Sequence, residues 1–404
     1  MNFVEITKNE YEDFASKYPF KNFLQSTLMA EVALSKGHPS YYVGIKKNRE
    51  LIGAAVLTAI KNKIGLNYFY APRGPLLDYN DNEAVSFFTD SVRKFVKKRK
   101  GYVLHIDPLL VHKQRDINGD IVPNGADNGN IIAKLEGLGY IHNGFNISYD
   151  YSKQIRWVFC LDLENKSEKE VFSSMKQNHR NIIKKTDKFC LEIKELSYDE
   201  LSKFKEITEN TSERRNFQDK PLSYYQKMYK LFESDVKFVV AYLNTTRYLS
   251  ALNEEFTKEN NRLSVCIEKE PNSGKTKELK VTVNSLIKRI EEAKGLVLKG
   301  GLLPLSAAMF LIYEGEVTYL FSGSYKEYMH FYAQYAIQWY MIKYALENKC
   351  KRYNFYGITG NFDKRDKEYG VYEFKKGFNG YVEEYIGDFD LPVTFFYKFK
   401  KIFK

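Results

Sequence analysis

The chain has 404 residues, 44% of them hydrophobic and 16% aromatic, which makes it globular and too long for one ordinary core. Lysine and arginine number 62 against 51 acidic residues, and the formal charge of +11 points to a polyanionic partner: nucleic acid, a phosphorylated substrate or an anionic membrane surface. Four scattered cysteines (Cys160, Cys190, Cys266, Cys350), with no Cys-x-x-Cys and no His-Glu-x-x-His, argue against a disulfide framework or a stable metal site and fit a reducing cytoplasm.

In chain order, residues 1–10 mix acidic and basic side chains, unlike a signal peptide. Residues 41–45, 51–60 and 64–70 read as strands, the first two joined by a polar turn over 46–50. Residues 82–98 have helical periodicity in Val85, Phe88, Val92, Phe95 and Val96. A strand over 102–106 follows and ends on Asp107-Pro108; His105 within it reads as a satisfied core histidine.

The second half repeats this order. Strands are expected over 236–243, 305–313 and 317–321, a helix over 325–347 and a strand over 352–356. Gly53-Ala54-Ala55 and Ser306-Ala307-Ala308 sit at matching places, so one α/β unit is used twice. Where the first unit has the short turn at 46–50, the second carries an insertion of about sixty residues, long for a loop in a compact domain. Its apolar residues run Leu249, Leu252, Phe256, Leu263 and Cys266, then Leu279, Val283, Leu286, Ile290, Ala293 and Val297 after a Pro-Asn-Ser-Gly turn. That spacing predicts an antiparallel coiled-coil arm with lysines on its outer faces. The apolar run over 301–313 is broken by Pro304 and is too short to span a bilayer, so membrane contact is expected to be peripheral.

The stretch 351–378 combines an alternating strand ending on Gly357, a charged loop, and Tyr-Glu-Phe-Lys-Lys-Gly-Phe. Read as a strand end and turn, it presents Lys375 and Lys376 to an anionic group. Other local stretches are Phe23-Leu-Gln-Ser-Thr, Leu104-His-Ile-Asp-Pro, Phe172-Ser-Ser-Met-Lys-Gln-Asn-His-Arg, Thr211-Ser-Glu-Arg-Arg-Asn-Phe, Tyr319-Leu-Phe-Ser-Gly and Tyr353-Asn-Phe-Tyr-Gly. In this order, and with the inserted arm, they make the chain resemble the FemABX aminoacyltransferases of peptidoglycan cross-bridge synthesis over nearly its whole length.

The resemblance implies an α/β (α+β) fold of two GNAT-like domains with an antiparallel coiled-coil helical arm inserted in the second. The domains are expected at 1–153, at 154–246 with 301–404, and the arm at 247–300. It implies transfer of alanine, serine or glycine from aminoacyl-tRNA, as co-substrate and without a further cofactor, to the stem-peptide amine of lipid II or UDP-MurNAc-pentapeptide. By size and arm the chain looks most like the serine/alanine-adding members. The expected setting is the cytoplasm, in peripheral contact with the inner face of the cytoplasmic membrane.

Residue by residue, the resemblance implies precursor-phosphate contacts at Lys36 and Lys375, with Lys376 beside it, and acceptor contacts at Arg214 or Arg215. Gln218 and Asp219 depart from the family pattern just beyond. Asp107 is the expected group for orienting or deprotonating the incoming amine. His179, Arg180 and Lys184, on a basic helix face over 177–188, are expected to touch tRNA. The chemistry is compatible: the ester is already activated, the amine needs positioning and a proton acceptor, and no covalent enzyme intermediate is required. Two other readings are a CoA-dependent N-acyltransferase and a non-catalytic coiled-coil RNA-binding protein. The first is disfavoured because the turns at Ser322-Gly323-Ser324 and Ala71-Pro72-Arg73-Gly74 are poor pyrophosphate cradles.

Overall fold

The computed structural model describes residues 1–19, 21–150 and 152–399. The first unit runs β1 (Asn2–Glu5), α1 (Lys8–Lys17), α2 (Thr27–Leu34), β2 (Ser40–Lys47), β3 (Glu50–Lys61), β4 (Asn67–Ala71), β5 (Leu76–Leu77), α3 (Asn82–Lys98) and β6 (Gly101–Ile106). A connecting stretch holds β7 (Val111–Gln114), α4 (Gly129–Gly137), β8 (Ile141–His142), β9 (Trp157–Asp162), α5 (Glu168–Ser174) and α6 (Gln177–Lys188). The second unit runs β10 (Leu191–Glu195), α7 (Leu201–Arg215), α8 (Leu222–Phe232), β11 (Val236–Asn244), α9 (Thr245–Lys269), α10 (Gly274–Lys299), β12 (Leu302–Tyr313), β13 (Glu316–Ser324), α11 (Ala333–Glu347) and β14 (Arg352–Gly357). The chain closes with α12 (Tyr369–Lys376), β15 (Tyr381–Tyr385) and β16 (Phe389–Pro392).

Local chemistry explains the boundaries. Thr7 and Glu10 form a reciprocal capping box on α1, and the Asp81 carboxylate accepts from Ala84 N–H at the start of α3. The α3 stripe of Val85, Phe88, Val92, Phe95 and Val96 is buried against the first sheet, as its periodicity predicts. Asn62 Oδ1 accepts from the N–H of Ile64 and Leu66, which holds 62–66 as a turn and delays the third strand to Asn67. The helix expected over 325–347 starts only at Ala333, because Tyr332 takes a left-handed φ of 56° after the 3-10 turn Lys326–Phe331. The Tyr-Glu-Phe-Lys-Lys segment is α12 and not a turn: Tyr369, Tyr372 and Lys375 recur every third residue.

The α/β class and the repeat expected from the sequence are both present. Each unit has the order strand, two helices, three antiparallel strands, helix, and a last strand parallel to the one before. The parallel pairs are β4 with β6 and β13 with β14. At β13, Gly323 lets α7 pack close, since a Cβ there would sit 2.3 Å from the Ile207 carbonyl oxygen. Between β11 and β12, α9 and α10 form a helical hairpin around Leu263, Leu279 and Val283.

The sheets also exchange strands. The first has the order β1-β2-β3-β4-β6-β16-β8, and the second β10-β11-β12-β13-β14-β9-β15-β7. The near-terminal strand β16 thus completes the first sheet, while β7 from the connecting stretch edges the second. The ends of β6, β14 and β15 meet along a seam between the sheets, through Leu109, Ile155, Val158, Tyr356 and Tyr385.

Candidate active site

Asp107 leaves β6 at this seam and is only 3% exposed. Its Oδ1 accepts the Arg73 backbone N–H at 2.8 Å, and its Oδ2 lies 3.6 Å from Arg73 Nη1. Among the described residues, Oδ2 has no hydrogen-bond partner. It borders a cleft of about 10 Å³ lined by Arg73, Lys153, Arg156, Tyr385 and Asp388, with room for about one water. Burial pushes the Asp107 carboxyl above its ordinary range, against the pull of the Arg73 guanidinium.

Arg73 bridges the units. It follows β4 of the first sheet, donates through Nη2 to the Ile155 carbonyl at 2.5 Å, and lies 4.6 Å from the centre of the Tyr385 ring on β15. Its φ is +56°, and that of Tyr356 at the end of β14 is +61°. Two bulky residues in the left-handed region are costly conformations that surrounding structure must enforce, and such strain gathers at functional sites. Tyr356 is half-buried, within electrostatic reach of Arg73, Asp107 and Tyr224.

Two of the residues expected from the sequence lie at this seam, and a third borders it through Tyr224, which is within electrostatic reach of Tyr356. Asp107 is its centre. Lys375, on α12, is 5% exposed and donates from Nζ to the Gly357 carbonyl at 2.5 Å, one residue beyond Tyr356. Burial lowers its pKa to about 7, so it is a partly neutral amine and not an exposed cation. Lys36 lies past the end of α2, with Nζ 5.0 Å from the centre of the Tyr224 ring. Partial burial and the neighbouring Lys220 hold its pKa below the usual lysine value.

The remaining ones lie around the rim or elsewhere. Arg214 makes a long 3.5 Å contact to the Ser324 carbonyl, and Arg215 sits 3.6 Å from Glu368 at the start of α12. Lys376 points away from Lys375 and donates to Asn118 Oδ1 at 2.7 Å. On α6, Lys184 is exposed and Arg180 is half-buried, its guanidinium donating to the Ser173 carbonyl. His179 does not share that outer face. It is 5% exposed, its Nε2 bonds the Phe374 carbonyl at 2.8 Å, and its ring fits against Gly377, where a Cβ would lie 1.9 Å away. The reason is helical phase: His179 falls on the inward stripe with Ile183 and Thr186. It supports the helix that carries Lys375 and is not placed to touch RNA.

Sequence reasoning missed Arg73 and Tyr356. Arg73 was visible only as part of a poor phosphate turn; its role depends on Asp107, 34 positions later. His105 is the core histidine expected, with Nδ1 2.7 Å from Asp390 Oδ1 on β16.

The model of the FemAB family matches residues 6–404. Aminoacyltransferase FemA of Staphylococcus epidermidis is 37% identical over 403 residues, covering 98% of this chain and 96% of that one. The protein of the same name from Staphylococcus aureus (strain MRSA252) is 36% identical with the same coverage. The crystal structure of FemX covers 100% of both chains with a TM-score of 0.76 at 24% identity, a likeness of fold. No helix among the described residues is long and apolar enough to cross a membrane.

Proposed function

The chain belongs to the FemAB family, and on that premise we propose that it transfers an amino acid from aminoacyl-tRNA to the stem-peptide amine of a peptidoglycan precursor. That it is an aminoacyltransferase follows from the family and from relatives that carry that name over nearly their whole length. Alanine, serine or glycine is the group moved, and lipid II or UDP-MurNAc-pentapeptide the acceptor. The observation that carries the reading is the placement of Asp107 and Lys375 at one seam, with Lys36 bordering it through Tyr224.

In the reaction, the acceptor nitrogen attacks the ester carbonyl of the aminoacyl-tRNA. The C–N bond forms, the C–O bond to the tRNA ribose breaks, and the ribose oxygen leaves as a hydroxyl. The amine must first lose the proton it holds up to about pH 10.4. The Arg73 backbone N–H holds Asp107 Oδ1, and Oδ2, 3.6 Å from the Arg73 guanidinium, with the Tyr70 side chain beside the carboxyl, is the atom to orient the amine or take that proton. Lys36 and Lys375 hold the precursor phosphates. An arriving phosphate oxygen replaces the Gly357 carbonyl at Lys375 and raises the lysine pKa again, so the charge develops where the anion binds. Positioning of ester and amine supplies most of the acceleration. Lys184, Arg180 and the lysines of the α9–α10 hairpin offer tRNA phosphates an electrostatic landing surface.

The test is mass spectrometry of lipid II and of UDP-MurNAc-pentapeptide after incubation with the enzyme and a pool of charged tRNAs. One added amino-acid residue on either acceptor is expected. An unchanged precursor mass under conditions where the enzyme is folded would defeat the reading.

A further inference from the structure

One end of the first sheet, opposite the Asp107 end of β6, collects features that the transfer reaction does not use. Lys61 at the end of β3 pairs with Asn67, Asn67 pairs with Gly101, and Pro392 at the end of β16 pairs with Val103. The turn at 62–66, the end of α3 and the 3-10 turn Phe395–Phe399 therefore share this end. Backbone bonds fix them there: Asn67 N–H donates to the Lys100 carbonyl at 2.9 Å, and Val393 N–H to that of Tyr102 at 3.1 Å.

The loops and helix end so gathered carry both exposed apolar and exposed basic side chains. Phe395 is 63% exposed, Phe396 40% and Ile64 58%. Lys61, Lys63, Lys97, Lys98, Lys100 and Lys398 are all exposed on the same loops and helix end. Arg99 among them is ion-paired, with Glu5. Exposed aromatic and aliphatic side chains on the same loops as exposed lysines match the two-layer chemistry of a bilayer surface, apolar just below anionic headgroups. Ile64 offers a nucleic acid neither stacking nor charge, whereas a lipid interface accepts it.

We propose that this end of the first sheet docks on an anionic lipid bilayer. The choice of a bilayer rests on the precursor-transferase reading; the docking itself can be measured without it.

Full-length protein is floated with vesicles of phosphatidylcholine alone or mixed with phosphatidylglycerol, with no tRNA and no precursor present. Binding is expected only to the mixed vesicles. Phe395→Ser with Phe396→Ser, and separately Lys61→Glu with Lys63→Glu, should each weaken it about tenfold or more, with thermal unfolding unchanged. If one pair perturbs folding, the other decides. Binding to mixed vesicles that both pairs leave intact would overturn the proposal. So would loss of tRNA retention, or of a dimer in solution, with no vesicle binding to lose. A protein that fails to extend any precursor yet floats as predicted defeats the transferase reading alone, and one that extends precursors but never floats defeats this inference alone.

Discussion

The last strands of the two units, β6 and β14, occupy equivalent places and end at the same seam, yet they deliver opposite chemistry. Strand β6 ends on a carboxylate, Asp107, held by a buried guanidinium. Strand β14 ends on a strained tyrosine, Tyr356, and a carbonyl, Gly357, that receives a buried amine. One backbone plan used twice thus builds an acidic half and a basic half of one site. The fold supplies two strand ends, and on the proposed reading the residues placed there supply the function.

The largest test breaks the acidic half. Asp107→Asn keeps the backbone anchor to Arg73 but removes the proton acceptor, and single-turnover transfer should fall about 10²- to 10⁴-fold. Transfer within twofold of the unchanged enzyme would remove Asp107 from the mechanism. Next is the Arg73 pair. Arg73→Met leaves a buried carboxylate uncompensated and should cost about 3–5 kcal/mol in urea unfolding, much of it recovered when Asp107→Asn is added. Additive losses would show that the two side chains act separately.

A smaller effect probes the basic half. The unfolded chain keeps the Lys375 proton up to about 10.5, the folded chain only to about 7. Between those values the unfolded state binds more protons, so stability rises with pH across that window. Lys375→Met should flatten that rise and stabilise the protein at pH 7, while raising KM for a pyrophosphate-bearing precursor. An undiminished slope would place the titration elsewhere. The smallest expected change is Arg215→Ala. Its pairing with Glu368 is solvent-exposed and should be worth at most about 0.5 kcal/mol, so a larger loss would mean that it restrains α12 more firmly than a surface pair does.

Much of the fold was legible in the sequence because periodicity and turns are local. The α3 stripe, the paired small-residue runs in β3 and β12, and the absence of a matching insertion in the first unit all appear in the linear order. The strands β1 and β10 did not, being short edge strands with weak alternation. Of the site, the residue types were visible but not their exposure. Lys375 and His179 looked like surface cations, and each turned inward because helical phase set it on a buried stripe.

By itself, the sequence determined the repeated α/β order, the excess positive charge and the membership in one family, since each is written in composition, spacing and local motifs. Only the tertiary structure decided which strand ends meet. It brought β16 to β6, Arg73 to Asp107 and α12 over Gly357, and so set which charges are buried. Those pairings join residues far apart in the chain, and their energies come from desolvation and close packing that no local pattern records.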